Sequence, residues 1–204
     1  SSPRSPTRVV RYRVFFWVLF NLWEPGELGE MEKLLSGDYS IDSRMMLHVA
    51  VYRQGRVVYE NDALNDIVLA KGTAFRVVRV RISADDEDVT HFNGDGLIVA
   101  TPTGSTAYGL SAGGPVIEPS AENLAVIPIC AHALAAKAFV FAPERRIALS
   151  AACEGGSEVF LSADGGQGFA IRPDDRVEST RSPLRTRLVR LKGISFYRIL
   201  QKKL

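Results

Sequence analysis

The chain has 204 residues, 46% of them hydrophobic and 24% charged, and its 25 basic and 23 acidic side chains leave a formal net charge of +2. That is an ordinary globular composition, long enough for one large domain with a substantial core. The basic residues are dispersed and no aromatic-interleaved basic patch occurs, which argues against nucleic-acid binding. Cys130 and Cys153 lie far apart and form neither a Cys-x-x-Cys pair nor a disulfide framework, so they read as buried packing residues of a reducing compartment. His48, His91 and His132 lack the spacing of zinc ligands.

Taken in chain order, the first feature is Val14 to Phe20, the most hydrophobic run. It falls short of the about twenty apolar residues that cross a bilayer, so no membrane role is expected. Arg4, Arg8, Arg11 and Arg13 precede it, with serines and no acid before Glu24, a pattern like an organellar transit peptide or signal sequence; no small-residue cleavage signal follows. A buried strand or a remnant of a preceding segment is the reading preferred for residues 1–33.

Leu47, Val49 and Val51 alternate with His48, Ala50 and Tyr52, and Gln54-Gly55 separates them from Val57-Val58-Tyr59, which predicts a hairpin. Asn65-Asp66 stands at the head of an apolar run, Ile67 to Leu69. Val78, Val80 and Ile82 alternate with Arg79 and Arg81, predicting a strand with one buried face, and Asp85 to Asp88 reads as a solvated hairpin end.

The densest information lies between Asn93 and Pro115. Gly94 and Gly96 flank Asp95, and Leu97 to Ala100 reads as a buried strand delivering Thr101-Pro102-Thr103-Gly104-Ser105-Thr106-Ala107-Tyr108 to a sheet end. Its four hydroxyls, at Thr101, Thr103, Ser105 and Thr106, suit hydrogen bonding to a polar ligand better than a helix start or a core. Ser111-Ala112-Gly113-Gly114-Pro115 allows a second close backbone approach. Farther on, Ser120 predicts the cap of a short helix over 121–124. Val159 and Leu161, Asp164-Gly165-Gly166, then Phe169 and Ile171 predict another hairpin, and Ser195 to Leu204 a terminal helix with Lys202 and Lys203 at its C-terminal dipole. Strands at such regular spacing argue for a mainly β (α+β), two-layered domain.

The compound pattern resembles the NAD kinase family. Gly94 to Val99, Thr101 to Tyr108 and Ser111 to Pro115 are similar to one family block, Asn65-Asp66 to its Asn-acid motif, Pro128 to Cys130 with His132 to Leu134 to a third block, and Asp164-Gly165 with Gln167 to a late Asp-Gly-Gln turn. The likeness spans about residues 34 to 204, expected to form the family's C-terminal β-rich, sandwich-like NAD-binding domain of the NAD kinase/diacylglycerol kinase-like architecture. The family's Gly-Gly-Asp-Gly-Thr motif, with its general base and ATP-phosphate glycines, occurs nowhere in the sequence. Ala131 and Ala138 stand where the family usually has proline, and Lys137 where it has arginine.

The resemblance implies transfer of a phosphoryl group, from ATP or polyphosphate with Mg²⁺, to the 2′-hydroxyl of the adenosine ribose of NAD. It implies that Asn65 and Asp66 bind ribose hydroxyls, that Thr103, Thr106, Tyr108 and Ser111 take the adenine end with Tyr108 as a stacking surface, and that Ala107, Asp95 and Asp164 belong to substrate binding. His132 is either a structural histidine or a ligand contact. A cytoplasmic homo-oligomer, dimer or tetramer, is expected, with an organellar location as the alternative. The alternative function is a non-catalytic dinucleotide-binding or oligomerisation module lacking the kinase domain.

Overall fold

A computed structural model describes residues 28–72, 77–131, 136–153, 158–191 and 195–201. The N-terminal apolar run, His132 and Lys202-Lys203 lie outside them. The chain divides into two compact units, a small one of residues 1–40 with 189–193 and a large one of 41–188 with 194–204. The described helix of the small unit, α1, spans Leu28–Ser36 and carries Lys33 in its last turn, where a cation suits the helix dipole.

The large unit is built from strands. They are β1 (Ser40–Arg53), β2 (Arg56–Ala63), β3 (Asp66–Lys71), β4 (Val78–Ala84), β5 (Glu87–Gly94), β6 (Gly96–Ala100), β7 (Leu124–Ile129), β8 (Phe139–Phe141), β9 (Ile147–Cys153), β10 (Val159–Ala163), β11 (Phe169–Ile171) and β12 (Arg176–Arg190). Two six-stranded sheets result, ordered β2-β1-β12-β9-β4-β5 and β11-β10-β3-β6-β7-β8. Their facing sides share one core, to which the first sheet gives Leu47, Val49, Val80, Ile82 and Leu149 and the second Ile67, Leu69, Leu97, Val126 and Leu161. Period-two alternation makes that face: Val78, Val80 and Ile82 are buried while Arg79 and Arg81 are exposed.

Strand β6 reads as an uninterrupted apolar run because it is covered on both sides. Leu97 and Val99 enter the core between the sheets, while Ile98 and Ala100 pack with Ile117, Ala125 and Ile127 on the outer face of the second sheet. The expected hairpins form: Gln54 and Gly55 turn β1 into β2 with φ of 51° and 76°, and Asp85 and Asp86 turn β4 into β5 with 49° and 69°. That acidic turn is exposed as expected, with Arg145 binding Asp85, and Arg146 and Arg176 binding Asp86.

Two expectations are corrected. Residues 121–124 are not a helix: a 3-10 turn at Pro119–Ala121 ends at Glu122, which takes left-handed φ of 55°, and Leu124 is drawn into buried β7. Cys130 is exposed instead of packed, because it follows β7 with φ of 45° and turns out of the sheet. At the chain's end, α3 (Phe196–Gln201) forms within the expected helix, and Ser195 Oγ accepts from the Tyr197 amide at 3.3 Å.

One ion pair joins the end of β1 to the β11–β12 turn. Arg53 donates to both oxygens of the buried Asp175 at 2.7 and 2.7 Å, and the Arg172 amide adds a third bond at 2.9 Å. The Arg53 guanidinium, more than any other neighbour, holds the Asp175 carboxyl below the usual carboxylate range. A depressed folded-state value stabilises the protein above the ordinary carboxylate pKa of about 4, and that contribution is lost as pH falls through the folded value. Arg53→Gln should therefore raise the pH of the acid-unfolding midpoint, followed by circular dichroism; an unchanged midpoint would show that the pair contributes nothing to acid resistance.

Candidate functional site

Three segments distant in sequence meet at one end of the second sheet. In the β3–β6 ladder Asp66 lies opposite Ala100, so the start of β3 adjoins the point where the hydroxyl-rich loop leaves β6. In the β10–β3 ladder Ala163 lies opposite Ile67, which brings Asp164 beside the same turn.

The loop is locked mainly by its own small side chains. Thr101 Oγ1 donates to the Leu64 carbonyl at 2.6 Å and accepts from the Gly104 amide at 3.2 Å, while the Thr101 amide donates to the Asn65 carbonyl at 2.8 Å. Buried Ser105 donates to the Pro102 carbonyl at 2.7 Å and accepts from the Ile117 amide at 3.0 Å, which folds the chain back over the sheet's outer face. Gly104 turns out to be a packing necessity: a Cβ there would stand 2.0 Å from the Asn65 carbonyl oxygen. Gly114 fills the same role against Ile127, whose Cδ1 would be 2.4 Å from an added Cβ. The segment expected to resist helix forms two short helical turns, a 3-10 turn at Gly104–Thr106 and α2 at Tyr108–Ser111, because Thr101 and Thr103 turn their side chains and carbonyls to the loop's own donors.

With Thr101 and Ser105 consumed internally, a different set faces outward. Thr106 is half-buried, Ala107 and Ser111 are exposed, and the Tyr108 ring is 45% exposed. Thr103 Oγ1 accepts from Arg44 at 3.4 Å, and Arg44 itself is buried and bound in a fork by Asp42 at 2.9 and 2.6 Å. Neither Arg44 nor the locking role of Thr101 is legible from the sequence; Arg44 sits mid-strand without any motif.

Asp66 is 5% exposed. Among the described residues no hydrogen bond reaches its carboxylate or the Asn65 side-chain amide. Burial, and secondarily the Asp164 charge, push the Asp66 carboxyl up to about 6. The Asp66 carboxylate, without a hydrogen-bond partner among the described residues, and the neighbouring Asn65 amide offer an acceptor and a donor suited to a diol.

Asp164 and Asp95 behave differently. The Asp164 carboxylate accepts from the amides of Leu64, Asn65 and Asp66 at 2.7, 2.7 and 3.2 Å. Asp95 is not brought to the cluster within this chain. It lies at the opposite end of β6, where Lys71 Nζ binds it at 2.6 Å and its amide donates to the Ile129 carbonyl at 2.9 Å. A concavity of about 420 Å³ lined by Arg53, Glu158, Phe169 and Arg172 contains no residue of the cluster. Among the described residues no group of three or more His, Cys, Asp or Glu could hold a metal, and no helix is long and apolar enough to cross a membrane.

A two-sheet β domain presenting a hydroxyl-rich loop and an Asn-Asp pair at one sheet end defines a candidate polar-ligand site. The family model of the ATP-NAD kinase C-terminal domain matches residues 64–191. The NAD kinase of Symbiobacterium thermophilum is 45% identical over 177 residues, 87% of this chain and 62% of that protein. The NAD kinase of Carboxydothermus hydrogenoformans is 37% identical over 195 residues, 90% of this chain and 69% of that protein. A crystal structure of an NAD kinase from Archaeoglobus fulgidus in complex with ATP superimposes with a TM-score of 0.66 at 27% identity, covering 86% of this chain and 64% of that one. The chain belongs to the NAD kinase family, and it spans about three fifths to two thirds of the length of these relatives.

Proposed function

We propose that this chain supplies the NAD-binding portion of an NAD kinase, which phosphorylates the 2′-hydroxyl of the adenosine ribose of NAD to give NADP. The observation that carries this reading is that the Asn65-Asp66 turn is hydrogen-bonded to the start of the hydroxyl-rich loop at one sheet end, and that this loop, locked by Thr101 and Ser105, leaves Ala107, Tyr108 and Ser111 exposed and Thr103 and Thr106 half-buried. In the proposed arrangement Asn65 and Asp66 fix the ribose diol, and Tyr108 and the hydroxyls receive the adenine. Asp164 serves the site indirectly. Asp95, paired with Lys71, stays outside this single-chain site.

In the reaction the ribose oxygen forms a bond to the transferred phosphorus as the donor's bridging P–O bond breaks, and the hydroxyl proton must leave. The residues of this chain contribute positioning, which reduces the entropy cost of bringing the hydroxyl in line. Mg²⁺ accompanies the phosphates of ATP or polyphosphate, and no residue described here is assigned to it. The phosphate loop and base belong to the Gly-Gly-Asp-Gly-Thr motif that this sequence lacks, so the 204-residue chain alone is expected to make no NADP. Turnover by the chain itself would transfer the role of proton acceptor to Asp66. We further infer a cytoplasmic, self-associating protein; the solvent-facing Val57 and Val58 on edge strand β2 support association.

Calorimetric titration with NAD tests the reading. Asn65→Ala and Asp66→Ala should each remove about 1–3 kcal/mol of affinity, the cost of lost hydrogen bonds to a ligand. Tyr108→Ala should weaken adenine nucleotides in general. Exposed Glu60 on β2 is the control, and Glu60→Gln should leave affinity unchanged. Equal affinities across the set would reduce the loop to a structural element.

A further inference from the structure

Asp164 stands where three consecutive backbone amides converge, those of Leu64, Asn65 and Asp66, about a hundred residues earlier in the chain. Successive amides aimed at one point form an anion-binding concavity, ordinarily filled by a phosphate or other free anion. Here the chain fills it with its own carboxylate. The two 2.7 Å contacts have the length of charge-assisted bonds. A carboxylate is the fitting occupant because it only accepts, whereas the amide of Asn would set a donor against a donor.

The grip is mutual and two-sided. The Asp164 amide donates to the Asp66 carbonyl at 2.9 Å, and Asp164 holds left-handed φ of 48° beside Gly165 at 66°, so the hairpin turn is itself shaped for the contact. While Asp164 takes the amides of the turn, Thr101 takes the carbonyls of Leu64 and Asn65. Both peptide planes flanking Asn65 are thereby fixed, and with them the directions of the Asn65 and Asp66 side chains.

We propose that Asp164 is a positioning residue for the ligand pair: without touching the ligand, it sets the backbone on which Asn65 and Asp66 meet the ribose hydroxyls. This rests on the proposed NAD-binding reading. It carries an electrostatic signature, because Asp164 is the one charged group among the described residues whose field acts on Asp66. If ribose hydroxyls donate to an ionised Asp66, NAD affinity rises with pH through about 6, and removing the Asp164 charge moves that midpoint down, though burial keeps it above the ordinary carboxylate value.

The test uses the 204-residue chain, NAD as the probe, and Asp164→Asn. Affinity at neutral pH should fall about 10- to 100-fold, the loss expected for disturbing charge-assisted hydrogen bonds, and the midpoint of the affinity–pH curve should move to lower pH. The midpoint shift reports the Asp164 charge at Asp66, while the loss of affinity at neutral pH, above the Asp66 midpoint in both proteins, reports positioning. An affinity within twofold of wild type, or an unmoved midpoint, overturns the proposal. Should the variant fail to fold, the wild-type chain decides: NMR scalar couplings across the hydrogen bonds must link the Leu64 and Asn65 amide nitrogens to the Asp164 carboxyl carbon, and their absence overturns it. Should wild type not bind NAD at all, the binding reading fails, and the same couplings together with the shift of the Asp66 carboxyl titration in Asp164→Asn still judge the positioning role.

Discussion

Gly104→Ala should unfold at markedly lower denaturant concentration than the parent and should lose NAD binding with it. An added Cβ would sit 2.0 Å from the Asn65 carbonyl oxygen and 2.5 Å from its carbon, both backbone atoms that cannot rotate away. Either the loop or the Asn65-Asp66 turn must move. Overpacking of this kind costs about 1–3 kcal/mol and more where backbone must shift. Gly55→Ala is the informative contrast: φ is 76° but nothing lies within 4 Å, so only the left-handed backbone penalty of about 1–2 kcal/mol applies, and NAD affinity should survive. Equal stability and equal affinity for Gly104→Ala and the parent would mean that the loop and the turn do not depend on this contact.

The second large effect belongs to the core. Leu97 is fully buried in β6, with β3 and β7 on either side and the first sheet packed against it. Strand neighbours on both sides leave little room for collapse, so Leu97→Ala should cost about 2–5 kcal/mol, the range for buried leucine truncation. Leu35→Ala in α1, at a position 81% exposed, should stay within about 0.5 kcal/mol. Chemical denaturation of the two variants beside the parent checks both values, and comparable losses would contradict the placement of the core.

What the sequence displayed and what it hid follow from how each residue is used. Val78, Val80 and Ile82 announced a strand because one face meets the core and the other meets water. The run from Leu97 to Ala100 announced burial because both its faces are covered. Strand β12 was silent, since Pro183 and a series of arginines from Arg176 to Arg190 interrupt any apolar period and only Val177, Ser179 and Ser182 are buried in it. The helix expected after Ser120 failed because local capping chemistry lost to the burial of Leu124 in β7.

The site was half legible. Its loop was visible in the spacing of glycines and hydroxyls, and its partnership with Asn65-Asp66 came through the family resemblance; nothing local predicts that residues so far apart meet across the β3–β6 ladder. Which hydroxyls face outward was not legible either. Thr101 and Ser105 look in sequence like Thr103 and Thr106, yet the first two are fully buried and the other two only half-buried. Asp164 and Asp95 show the same limit from the charged side: each is a carboxylate in a glycine-flanked turn, but one grips three amides and the other a lysine.

NAD is expected to bind this chain where the Asn-Asp turn meets the hydroxyl-rich loop. Titrating isotope-labelled protein with NAD while following backbone amide shifts locates the ligand directly. Saturable shifts are expected to be largest at Asn65, Asp66 and residues 103–111, with the Asp85–Asp88 hairpin and the concavity around Arg53, Phe169 and Arg172 unmoved. Shifts concentrated at that concavity, or saturation that leaves Asn65 and Tyr108 untouched, would contradict it.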